Sequence, residues 1–237
     1  MPEREPQERK TNSLGSGVIV DGVEGYVVTN YHVIENADEI NVRLHDGRSF
    51  AAKVIGTDPE ADIAVIQIPS SDLYGIAIGD SEGLRVDDFV VAIGNPFGLG
   101  QTVTSGIVSA LGRQGINRDG YEDFIQTDAV INPGGSGGAL IDGQGRLVGL
   151  VSAIFTKDSD ANIGVNFAAT MKLVLRVVND LKDHGRVIRG KPGFGVRELT
   201  ERERVALSGA AIDRVARGGA AIEAGLEVGD VITAIGG

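Results

Sequence analysis

Cysteine is absent from the 237 residues. That excludes disulfides, a thiolate nucleophile and cysteine-based metal sites, and it leaves the redox compartment unread. Long apolar runs are absent too. No stretch of 18 apolar residues occurs, so no segment reads as a membrane-spanning helix. The opening segment MPEREPQERKTN has two prolines and no apolar core, so it does not read as a signal peptide. Residues 1–13 read instead as a flexible lead, or as the trimmed start of a longer chain. Basic charge is scarce: 22 Lys and Arg stand against 33 Asp and Glu, for a net charge of −11. Such a balance disfavours nucleic acid as a partner, because phosphate binding wants a basic surface. Histidine occurs only three times, so few side chains can serve as an imidazole base.

Glycine is abundant, at 35 of 237 residues, about double its usual share. Such a chain is rich in turns and poor in helix. Short β-branched runs separated by turn residues fall at 15–20, 25–30, 40–44, 49–56 and 62–68. A second group falls at 88–94, 102–111, 124–127, 138–141, 146–154 and 163–168. Regular short strands with Gly-rich turns predict antiparallel barrels or sandwiches, here in two similar lobes. One helix is predicted over 169–184, with Met171, Val174, Leu175, Val178 and Leu181 on one face and Gly185 as its stop. Residues 185–193 then read as a linker. Beyond it, Thr200 and Glu203 have capping-box spacing, and 209–236 reads strand, helix, strand. A free-standing domain of that length is marginal, so the chain is expected to stop inside a domain.

The stretch INPGGSGGALIDGQGRLVGLV, residues 131–151, surrounds Ser136 with four glycines and runs straight into a strand. A phosphate loop would need Lys-Ser/Thr after the glycines and a helix behind them, and a hairpin follows instead. A linker would not be bounded by alternating apolar strands. Two readings remain: a glycine-rich turn with an incidental serine, or a nucleophile whose neighbours must present backbone N–H groups and admit a substrate. A nucleophilic serine also needs a base and a group to orient it. His45 lies beside a hairpin turn and His184 closes the helix, where an imidazole has reasons of its own. His32 follows an apolar strand. Asp62 opens the strand IAVIQI, where a carboxylate would be half-buried; Asp58 and Asp128 are less well placed. The order His32, Asp62, Ser136 is that of chymotrypsin-like proteases rather than of subtilisins or α/β-hydrolases.

With these residues on the page, the chain resembles the HtrA (Deg) family of trypsin-like serine proteases with PDZ domains. The matching stretches are LGSGVIV, GYVVTNYHVI, DPEADIAVIQI, VVAIGNPFGLGQTVTSGIVSALGR, FIQTDAVINPGGSGGAL and AGLEVGDVITAI. The resemblance implies an all-β protease domain over 14–188, built as two six-stranded antiparallel barrels whose first strand is missing, and a partial α+β PDZ domain over 192–237. It implies Ser136 as nucleophile, His32 as general base, Asp62 as orienter, and an oxyanion hole from the N–H groups of Gly134 and Ser136. It places Ile131, Ala153 and Ile154 in the S1 pocket and Phe194, Gly195 and Val196 in the PDZ carboxylate-binding turn. No metal or cofactor is implied. The implied activity is serine endopeptidase cleavage of unfolded or damaged proteins in bacterial envelope quality control or stress signalling. C-terminal peptides are the implied activators and a homotrimer the implied assembly. The other reading is a catalytically weak chaperone-like or PDZ peptide-binding module. One departure concerns the site: where the family has Asn before the nucleophile, this chain has Gly135. That exchange predicts slack in the turn.

Overall fold

The structure is a computed structural model, and it describes residues 13–69, 72–116, 120–152 and 164–235. The chain divides into two compact units, Met1–Val187 and Ile188–Gly237.

The first unit opens with five antiparallel strands: β1 (Val18–Asp21), β2 (Tyr26–Thr29), β3 (Ile40–Arg43), β4 (Ser49–Asp58) and β5 (Ile63–Gln67). They lie in the order β1-β2-β5-β4-β3. β5 is apolar on both faces because both faces are covered. Ile63 and Val65 enter one core cluster, and Ala64 and Ile66 enter another on the opposite side. Six more strands follow: β6 (Phe89–Gly94), β7 (Thr102–Arg113), β8 (Phe124–Thr127), β9 (Ala139–Asp142), β10 (Leu147–Ser152) and β11 (Asn166–Thr170). They close into a barrel in the order β10-β11-β8-β7-β6-β9. The second lobe is therefore the six-stranded barrel expected. The first lobe has the five strands expected of a barrel that lacks its first strand, and among the described residues they form an open sheet. The position of a sixth strand, ahead of Leu14, falls mostly on residues outside those described.

A one-turn helix, α1 (Tyr31–Ile34), follows β2, and the long helix α2 (Met171–His184) follows the barrel. α2 begins two residues later than the periodicity predicts, because Ala169 and Thr170 are held in the β11 ladder. Thr170 then caps it, its hydroxyl accepting from the Leu173 N–H at 3.3 Å, and Gly185 ends it in the left-handed region at φ 67°. Met171, Val174, Val177, Val178 and Leu181 are buried. Leu175 of the predicted face is only partly so, packing at the margin of the core.

The second unit holds β12 (Phe194–Glu198), α3 (Glu201–Arg204), β13 (Ala210–Val215), α4 (Ala220–Glu223) and β14 (Val231–Ile232), with sheet order β12-β13-β14. The predicted capping box is present. Glu203 accepts from the Thr200 N–H at 2.7 Å, and the Thr200 hydroxyl accepts from the Glu203 N–H at 3.4 Å. Arg197 grips the same carboxylate with two bonds of 2.9 Å. This guanidinium, with the Thr200 backbone and hydroxyl, lowers the Glu203 pKa from 4.5 to about 2. Because folding lowers this pKa, the contribution is full above the ordinary value and fades as pH falls through about 2. The amide of Glu203 should therefore lose exchange protection between about pH 4.5 and about pH 2. Glu203→Gln should show weak protection with no such step. Protection that is flat across this range would remove the capping carboxylate as the local latch.

Candidate active site

The site begins where β2 ends. Its backbone stops pairing at Thr29, and the chain turns into α1, which carries His32. Tyr-His-Val-Ile has little helical preference of its own. Bonds from Asp62 hold the turn instead. The Asp62 carbonyl accepts from the Asn30 side-chain amide at 2.9 Å and from the Tyr31 N–H at 3.2 Å. Its carboxylate closes the loop: Oδ1 accepts from the His32 N–H at 2.9 Å, and Oδ2 lies 2.7 Å from His32 Nδ1. Asp62 thus binds both the backbone and the ring of His32. It does so from a left-handed conformation, φ 53°, which aspartate tolerates better than most residues. The Asp62 side chain is 23% accessible and that of His32 is 43%, so the carboxylate is shielded while the ring is open to a substrate. A carboxylate at Nδ1 keeps the proton of the neutral ring on that nitrogen and leaves Nε2 as the acceptor.

Ser136 lies in the turn between β8 and β9 and is 5% exposed. The turn is bonded at nearly every peptide. The Phe97 N–H donates to the Pro133 carbonyl at 3.0 Å, the Gly135 N–H to Asn132 at 2.9 Å, and the Gly138 N–H to Gly135 at 2.9 Å. The Ser16 hydroxyl donates to the Gly134 carbonyl at 2.8 Å, and the Ser16 N–H to the Ser136 carbonyl at 2.8 Å. In a planar trans peptide the N–H points away from the C=O. Holding the Pro133 and Gly135 carbonyls therefore fixes the directions of the Gly134 and Ser136 N–H groups, each opposite to the carbonyl of its own peptide.

The glycines follow from this crowding. Gly137, at φ 81°, lies so close to the segment leading into β1 and to β2 that a Cβ would stand 2.2 Å from the Ser16 carbonyl oxygen and 2.4 Å from Thr29 Oγ1. This contact seats the turn of the second lobe on the strand of the first lobe that delivers His32. Gly135 does not have a left-handed φ, but a Cβ there would stand 2.9 Å from the Asn132 carbonyl oxygen. Its amide is also bonded, so Gly135 marks a tight fit where the sequence predicts slack.

The remaining expected residues fall as follows. Ile131 is buried in the barrel core, with its Cγ2 3.5 Å from where a Gly135 Cβ would be. Ala153 and Ile154 lie outside the described residues. Phe194, Gly195 and Val196 form the start of β12 rather than a turn; they pair with β13 across a register shift between Gly195 and Val196. Gly193, just ahead of the strand, has a left-handed φ of 77°. His45 and His184 are exposed, and Asp128 accepts from the Ile107 N–H at 2.8 Å. Among the described residues no group of three or more His, Asp or Glu is placed to hold a metal ion. Asn95, Phe97 and Ser16, which brace the turn, escape a search for reactive side chains. They act through main-chain groups and one hydroxyl, and the closely spaced glycines of LGSG and NPFGLG are their only trace in the sequence.

Residues 15–150 match the trypsin-like peptidase domain family, and residues 180–237 match the PDZ domain family. Periplasmic serine endoprotease DegP of Salmonella typhimurium is 50% identical over 237 residues, covering 98% of this chain and 50% of the relative. Periplasmic pH-dependent serine endoprotease DegQ of Escherichia coli is 47% identical over 230 residues, covering 94% of this chain and 50% of the relative. The chain spans about half the length of these curated relatives. Among solved structures, the HtrA-type protease AlgW with tripeptide superposes with a TM-score of 0.86 at 49% identity, covering 93% of this chain and 74% of that one.

Proposed function

Since this chain belongs to the HtrA-type family of trypsin-like serine proteases, we propose that it is a serine endopeptidase of the bacterial cell envelope that cleaves unfolded polypeptides. One observation carries the reading: Asp62 grips both the ring and the backbone of His32, on the lobe against which the Ser136 turn is seated. In the reaction His32 Nε2 takes the proton of the Ser136 hydroxyl while Oγ attacks the scissile carbonyl. The carbonyl oxygen becomes an oxyanion, which the N–H groups of Gly134 and Ser136 stabilise. His32 then returns the proton to the leaving amine, and the C–N bond breaks. Water repeats the sequence on the acyl-enzyme and releases the acid. Asp62 holds the ring and its tautomer and stays ionised throughout.

Ile131, Ala153 and Ile154 are the proposed S1 lining. None is acidic, so a Lys or Arg at P1 would give up its hydration without a partner. Unfolded chains fit such a site because an extended backbone and an aliphatic side chain are what a native fold hides. A homotrimer and C-terminal peptide activators, both implied by the family, are the proposed partners, with the edge strand β12 as the peptide's docking edge. The test is digestion of β-casein beside a Ser136→Ala control, with the fragments read by mass spectrometry. We expect cuts after Val, Ala, Ile and similar residues in the active sample only. Cleavage that persists in the control removes the endopeptidase assignment. Cleavage dominated by Lys and Arg at P1 keeps that assignment and overturns the pocket.

A further inference from the structure

We propose that Ser16, in the strand entry of the first lobe, is a positioning residue for this hydrolysis: its hydroxyl sets the turn that carries the oxyanion donors. The proposal rests on the protease reading above and adds a residue that does not touch the substrate.

Ser16 makes four hydrogen bonds: two reach the Ser136 turn, one reaches β2 and one reaches the 95–100 loop. Its N–H donates to the Ser136 carbonyl at 2.8 Å. Its carbonyl accepts from Thr29 Oγ1 at 2.7 Å. Its hydroxyl donates to the Gly134 carbonyl at 2.8 Å and accepts from the Asn95 N–H at 2.8 Å. The first two could be made by any residue at this position, since they use the main chain alone. The last two need a group that donates and accepts at once, which a hydroxyl does and a methyl cannot.

Those two bonds reach both oxyanion donors. The Gly134 carbonyl belongs to the peptide that joins Gly134 to Gly135, and the donor-bearing peptides lie on either side of it. Within the turn that peptide is held at its N–H end by the Gly135 bond to the Asn132 carbonyl. The Ser16 hydroxyl is the bond that fixes its direction from outside the turn. The second bond acts through the 95–100 loop. Asn95 leads this loop, its Oδ1 accepts from the Gly100 N–H at 2.8 Å, and Phe97 inside it sits at φ 56°. A left-handed phenylalanine persists only when its surroundings hold it there. From that conformation the Phe97 N–H reaches the Pro133 carbonyl and so turns the Gly134 N–H. One hydroxyl thus braces the central peptide directly and the Gly134 donor through Asn95 and Phe97. Neither of its bonds goes to His32 or Asp62.

The bond pattern predicts a particular kinetic defect. Loss of one oxyanion donor costs roughly 10²–10³ in kcat. A donor that is misaimed rather than removed should cost about ten- to a hundredfold. Ser16→Ala should lower kcat by that factor, with KM within about twofold and the acid limb of the pH–rate profile at its wild-type midpoint, because the base is undisturbed. Rates are taken per site titrated with a fluorophosphonate, so a misfolded fraction does not count. Ser16→Thr keeps the hydroxyl and should recover most of the loss. Ser16→Val has the shape of threonine without the hydroxyl and should not, and this pair decides the matter if the alanine variant is too unstable to assay. A Thr and Val pair with equal kcat, a Ser16→Ala enzyme with wild-type kcat, or a loss confined to KM would each overturn the role given to Ser16. A wild-type enzyme that the fluorophosphonate fails to label would instead overturn the protease reading on which it rests.

Discussion

Replacing Ser136 by alanine will lower kcat by roughly 10⁴–10⁶ while leaving the fold intact. The structure makes the second half of that statement as firm as the first. The Ser136 carbonyl is held by the Ser16 N–H, and the neighbouring peptides are bonded to Gly138, Asn132 and Phe97 through main-chain atoms. Alanine keeps all of these bonds and removes one oxygen from a residue that is 5% exposed. Binding should therefore survive, and the loss should fall on kcat rather than KM. The residual rate should still exceed that of water, because the N–H groups and the substrate cleft remain. A fluorophosphonate should modify Ser136 in the wild type and nothing in the variant, as seen by intact-mass and peptide mapping. EDTA should leave the wild-type rate unchanged. Hydrolysis that is abolished by the chelator yet persists in Ser136→Ala would sink the acyl-enzyme mechanism.

The parts of this site that could be read in the sequence are those in which a side chain does something only its type can do. His32 stands out because there are few histidines, Asp62 because a carboxylate at the head of IAVIQI needs a reason, and Ser136 because its neighbours lack side chains. The long helix and the barrel strands were legible for a related reason: burial of one or both faces imposes a period. What stayed hidden was carried by the backbone. α1 forms because Asp62 supplies acceptors to Asn30, Tyr31 and His32, across some thirty residues of sequence. Phe194, Gly195 and Val196, which the family resemblance placed in a turn, lie in β12, whose place is decided by its pairing with β13. Gly135 shows the same limit from the other side. As a residue type it signals freedom, yet its place against the Asn132 carbonyl makes it a steric necessity. Ile131 was legible as apolar, but its packing in the barrel core, against Gly135, is decided by the closure of the barrel.

The geometry around Asp62 makes a sharper prediction than the presence of a carboxylate would. Asp62→Asn should lower kcat about 10⁴-fold, the size seen when such a ring is held in the wrong tautomer. The reason is the second bond. The His32 N–H donates to Oδ1 at 2.9 Å, and this position must remain an oxygen because a backbone N–H cannot face an amide NH2. Asparagine must therefore place its oxygen at Oδ1 and its NH2 at the Oδ2 position, 2.7 Å from His32 Nδ1. The amide then donates to Nδ1, Nδ1 becomes the acceptor, and the ring proton moves to Nε2. A ring protonated at Nε2 cannot take the proton from Ser136. Asparagine tolerates the left-handed conformation at this position as aspartate does, so the backbone at φ 53° should not object. Circular dichroism and the thermal midpoint should stay near wild type, with KM little changed. Nitrogen-15 spectra of the histidine ring should show Nδ1 protonated in the wild type and Nε2 protonated in the variant. An Asp62→Asn enzyme within tenfold of wild-type kcat, or one whose His32 keeps its proton on Nδ1, would show that the backbone bond does not dictate the amide's orientation.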